Sequence, residues 1–137
     1  MRAIGLFLLA GLAMAQAPSY EAVANIRQIM QGIVDPASKA IAAAAKEPPA
    51  DNRGWNMAGT QAILLAESMQ LMNIGGRAKD QEGWLKASKA MGDAAMAVSR
   101  AAAAKDAAAF QSAAANIGAA CQGCHSVYRQ RPGQKKQ

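Results

Sequence analysis

From Val23 to Tyr128 the apolar residues recur every three or four positions, and no stretch alternates apolar with polar for long. That spacing gathers them on one face of a helix and leaves no material for a sheet. Four segments carry it. The first follows Pro18-Ser19, with Val23, Ile26, Met30, Ile33 and Ala37 as its stripe. Asp35-Pro36 predicts a kink or short break, because proline cannot donate to the preceding turn but can open a new one. Helix then resumes to about Lys46, and Pro48-Pro49 forces a loop. Asp51 or Asn52 caps the second segment, whose stripe is Ala58, Ala62, Leu65, Met69 and Met72, ending at Gly75-Gly76. The third begins after Asp80 and carries Trp84, Ala87, Met91, Ala94, Val98 and Ala101. Asp106 caps the fourth, where Phe110, Ala114, Ile117, Cys121, Cys124 and Tyr128 share a face before Pro132-Gly133. Short connections make successive helices antiparallel neighbours. The expected fold is all-α, an antiparallel up-down-up-down four-helix bundle, and 137 residues suit one such domain.

The filling of that bundle is unusual. The chain is 52% hydrophobic but only 4% aromatic, and aromatic side chains normally supply much of a core's buried area. About a quarter of the residues are alanine, the best helix former but a small one. Such a core leaves room for a guest. Residues 1–15 read as a cleaved secretory signal: Arg2 is its positive start, Ala3 to Met14 its apolar run, and Ala13-Met14-Ala15 a small-x-small cleavage site. An uncleaved anchor is the alternative, but the run falls short of the roughly 17–25 residues a spanning helix needs. The folded domain is then 16–137, with a basic tail from about residue 130, and the expected location is the periplasm, which permits disulfides. The formal charge of +6 favours acidic partners. Export and the lack of interleaved aromatic and basic residues disfavour nucleic acid.

One motif carries chemistry. Cys121-Gln122-Gly123-Cys124-His125 is C-x-x-C-H, the pattern of c-type haem attachment. On a helical turn, two thiols three residues apart can each add to one of two vinyl groups on a haem edge, and the next imidazole points at the iron. A Cys121–Cys124 disulfide is one alternative, although redox C-x-x-C pairs usually lie between a strand and a helix. Zinc is another, and it would need a donor beyond two cysteines and the single histidine. No Ser-His-Asp set, carboxylate pair or phosphate loop is visible, so an enzyme is not expected.

With its motif at the end of the fourth helix, the chain resembles the class II c-type cytochromes, comprising cytochrome c′ and its low-spin, Met-ligated relatives. The likeness is carried by Cys121-Gln-Gly-Cys-His125-Ser-Val-Tyr128-Arg129, where the family also favours an aromatic and a basic residue after the histidine. Arg27-Gln28-Ile29-Met30 on the first helix adds to it. The resemblance implies one covalent haem c on Cys121 and Cys124, with His125 as axial iron ligand. It implies Met30 as sixth ligand, and Arg27 and Arg129 as contacts of the haem propionates. Cytochrome c′ often places a blocking residue four positions after an arginine here, and counting from Arg27 gives Gln31 instead of Met30. The expected function is periplasmic electron transfer to redox partner proteins, acidic ones given the basic tail. Homodimerisation through the first two helices is a family habit. A five-coordinate, gas-binding cytochrome c′-like protein is the second expectation. A haem-free helical interaction module with a Cys121–Cys124 disulfide is the third.

Overall fold

The computed structural model describes residues 21–129; the expected signal sequence, the basic tail and Pro132-Gly133 lie outside them. The described residues form four helices and no strand. Helix α1 is one rod over 26–46, built from Ile26–Ile29, a π-helical turn Met30–Val34, and Asp35–Lys46. Helices α2 (Asn52–Leu71), α3 (Gly83–Ala104) and α4 (Ala107–Tyr128) follow. Each packs on the next, and α4 closes against α1. No helix among the described residues is long and apolar enough to cross a membrane.

Side-chain caps set the helix starts. Asn25 opens α1 with a capping box: its Oδ1 accepts from the Gln28 N–H (3.0 Å), and Gln28 Oε1 accepts from the Asn25 N–H (2.9 Å). Asp51 caps α2 through the Gly54 N–H (2.7 Å), and Asp106 caps α4 through the Ala109 N–H (2.9 Å), as expected of those aspartates. The turn between α3 and α4 is tight because Lys105 takes the left-handed conformation, φ 54°, without the glycine that usually does so. Gly75 and Gly76 lie beyond the end of α2 at φ 62° and 73°, and a side chain on Gly75 would collide with Ala22.

The first helix departs from expectation at both its start and its middle. It begins at Ile26, so Val23 precedes it and is 97% exposed. Asp35-Pro36 does not break the rod. The Asp35 N–H bonds the carbonyl of Met30, five residues back, so one extra residue is accommodated before the proline. The buried face consequently runs Ile29, Val34, Ala37, Ile41. Its first step is five residues, while Ile26, Met30 and Ile33 are only half-buried. A stripe counted at 3.6 residues per turn cannot register that insertion.

The two ends of the bundle are filled differently. Where α1 ends and α4 begins, Phe110 packs edge-on against Trp55 with ring centroids 5.7 Å apart, and Gln111 Nε2 donates to the Ala45 carbonyl (3.0 Å). At the opposite end, Arg77 Nε donates to the Ala24 carbonyl and its terminal nitrogen to the Leu71 carbonyl, both at 2.8 Å. That guanidinium satisfies a helix-end carbonyl of α2 and pins the segment leading into α1.

Candidate functional site

This second end is hollow. A small cavity of about 40 Å³ is walled by Met30 and Val34 from α1, Met69 and Met72 at the end of α2, Trp84, Ala87, Ser88 and Met91 from α3, and Cys121, Cys124 and His125 from α4. It continues into a broader cleft between α1 and α4, where Ile26, Arg27, Gln31, Asp35, Ser38, Lys79, Tyr128 and Arg129 join the lining. Cys121, Cys124, His125 and Met30 border both spaces, whereas Arg27, Gln31 and Arg129 border only the outer one. The residues singled out in the sequence are therefore brought to one place, from two facing helices.

Positions 121, 124 and 125 are spaced i, i+3, i+4, which puts both sulfurs and the imidazole on one face of α4. Cys121 and Cys124 are free thiols. Burial pushes both above the usual thiol range, and the neighbouring Cys124 adds to the effect on Cys121. Both are protonated at neutral pH. Among the described residues no group of three or more His, Cys, Asp or Glu is gathered to hold a metal ion, so the motif lacks the further donors that zinc requires.

A cluster that sequence reasoning missed supports this end. Tyr128 donates its phenol proton to Asp80 Oδ2 (2.6 Å), and Asp80 Oδ1 accepts from the N–H groups of Glu82 and Trp84, both at 3.1 Å. Asp80 thus caps the start of α3 and clasps the last turn of α4. Trp84 Nε1 donates to the Met72 carbonyl (3.1 Å), and its ring meets Tyr128 edge-on at 5.0 Å. Gly83 leaves room for this bond, because a Cβ there would meet the Tyr128 hydroxyl and push it aside. The signal available was Asp80 four residues before Trp84; the partner 48 residues away carried none.

The clasp titrates at both extremes. The Tyr128 hydrogen bond, then the backbone donors, holds the Asp80 carboxyl below its usual range. The same bond to Asp80 pushes Tyr128 up to about 12. A carboxylate depressed on folding stabilises above its unfolded pKa, and that contribution is lost as pH falls through the folded value. A phenol raised on folding stabilises below about 10, and that contribution is lost as pH climbs toward 12. Tyr128→Phe should therefore flatten the acid and alkaline limbs of a melting-temperature profile. A variant whose limbs match the parent at both extremes would show that the bond contributes nothing.

Comparison with family models matches residues 78–129 to cytochrome C′. No curated protein and no solved structure gives a match. The matched segment spans α3 and α4, and so includes Asp80, Trp84 and the whole C-x-x-C-H turn. The family implies covalently bound haem c, and the residues here fit such a group. Two protonated thiols and an imidazole open from one helix face onto a cavity whose other walls, Ser88 apart, are aliphatic, aromatic and thioether. The four-helix bundle, its Cys121-to-His125 turn and the family match together support assignment of the chain to the class II c-type cytochromes, in the cytochrome c′ family.

Proposed function

We propose that this chain is a periplasmic mono-haem electron carrier, with haem c joined to Cys121 and Cys124 and with His125 and Met30 as axial ligands. The observation that carries the reading is that Met30, on α1, borders the same cavity as His125, on α4. Three other methionines line that cavity, but Met69, Met72 and Met91 are 6%, 2% and 5% exposed and belong to the core. Met30 alone of the four also reaches the outer cleft.

When bound, haem c supplies a one-electron iron couple. The chain's residues tune and protect it. A Met30 thioether, together with His125, would raise the reduction potential relative to a second histidine. One ligand pair serving both oxidation states keeps rearrangement small. The apolar walls exclude water and favour the less charged state. Arg27 and Arg129, on the cleft, offer guanidinium forks to carboxylates such as propionates. With Lys79 they make the cleft mouth cationic, which suits an acidic redox partner.

The test is the visible spectrum of the holoprotein, oxidised and reduced, with and without carbon monoxide. Low-spin bands with a thioether-to-iron charge-transfer band are expected, unmoved by carbon monoxide. Met30→Leu, close in volume, should become high-spin and bind carbon monoxide. A low-spin Met30→Leu would overturn the ligand assignment. A parent protein that is already high-spin would transfer the reading to gas binding, with Val34 of the same π turn as an apolar wall over an open iron.

A further inference from the structure

The extra residue in α1 has a definite effect on what the helix presents. We infer that Pro36, by holding the π turn at Met30–Val34, selects a thioether over an amide at the cavity; the inference rests on Met30 being the axial ligand. Pro36 has no N–H to donate, and in a regular helix its ring would crowd the carbonyl of Gly32. The chain answers with the wider turn, in which the Asp35 N–H reaches back to the Met30 carbonyl. Gln31 and Gly32, whose carbonyls would otherwise seek partners near the proline, are exposed to solvent.

The register follows by counting. Downstream, Val34, Ala37 and Ile41 are buried at steps of three and four. Continued backward as a regular helix, that face would next take Met30, four residues before Val34. The structure buries Ile29 there instead, 3% exposed. Every residue before the π turn is thus displaced by one position, a rotation of about 100°. Met30 consequently occupies the direction that Gln31 would have in an uninterrupted helix. Gln31 is turned to the outer cleft and does not line the deep cavity.

Both ends of the rod are tied, so the insertion cannot be relieved by sliding. Upstream are the Asn25 capping box and the Arg77 bond to the Ala24 carbonyl. Downstream is the Gln111 bond to the Ala45 carbonyl.

Two variants of the full-length holoprotein test the idea. Pro36→Ala removes the cause of the wide turn, so the rod should regularise and carry Met30 into the core. The thioether charge-transfer band should be lost, and apparent carbon monoxide affinity should rise on the order of tenfold or more as the ligated fraction falls. Methyl NMR of the same variant, in holo and haem-free forms, should show Ile29 losing its core contacts and Met30 gaining them. Pro36→Ala combined with deletion of Gly32 takes out the surplus residue, so a regular helix again directs Met30 at the cavity. That double variant should regain the band. Retention of the band by Pro36→Ala, or failure of the deletion to restore it, would overturn the inference. Met30→Leu separates this from the ligand assignment: a high-spin Met30→Leu beside an unchanged Pro36→Ala sinks only the role of Pro36.

Discussion

Cys121→Ser combined with Cys124→Ser should yield a protein that surrenders all its haem to acidified acetone and whose hollow end loses rigid structure. The parent should keep its colour in the protein pellet. Without thioethers the pigment is held only by mass action, and dilution removes its stabilising effect. The energetic consequence is confined to one end of the bundle. The enclosed space of about 40 Å³, at about 24 cal/mol per Å³, accounts for only about 1 kcal/mol; the larger loss is that the apolar lining facing the group has no packing partner without it. A domain of this size has only about 5–15 kcal/mol in all. The walls around the missing group are therefore the less well packed part of the bundle. Met69 and Met72 sit where α2 ends, Trp84 where α3 begins, and Cys121 to His125 where α4 ends, all within reach of fraying termini. Hydrogen exchange should accelerate at these residues in the double variant while the Phe110 end stays protected. Uniform protection along α4 in the haem-free form would show that the cavity walls stand unaided.

The helices and much of the site were legible because their determinants are local. Asp51 and Asp106 each cap through a residue three positions on. The C-x-x-C-H chemistry is confined to five consecutive residues that one helix face must present together. Ala58, Ala62, Leu65, Met69 and Met72 are all buried as their spacing predicts. What escaped is either an irregular step or a distant partner. The Ile29–Val34 step of five follows from a proline two residues beyond it, and it contradicts the periodicity by which a helix is recognised. Asp80 to Tyr128 and Arg77 to Ala24 are bonds across 48 and 53 residues. Nothing local to Tyr128 or Ala24 encodes them. Met30 belongs to both classes. Its inward position was anticipated from a stripe, yet the structure obtains it from the π turn, with Ile29 taking the core position beside it.

Phe110→Ala should lower stability by about 3–5 kcal/mol and leave the visible spectrum almost unchanged. Phe110 is 1% exposed and meets Trp55 edge-on at 5.7 Å, a geometry that contributes about 0.5–1.5 kcal/mol beyond area burial. Few substitutes exist. The whole sequence holds two Phe, two Trp and two Tyr, and the neighbours at this end are largely alanine, such as Ala58, Ala102 and Ala113, too short to reach into the space. The melting temperature should fall on the order of 15 °C. Phe110→Leu, which keeps most of the volume, should cost markedly less. The spectral silence follows from position: Phe110 lies one turn into α4, whereas Cys121 to His125 close that helix. Melting followed by far-ultraviolet circular dichroism and by haem absorbance should be compared in this variant. Coincident transitions would mean that the aromatic end and the hollow end unfold as one unit. A haem signal that outlasts the helical signal would mean that the attached group holds its own end of the bundle after the other has melted.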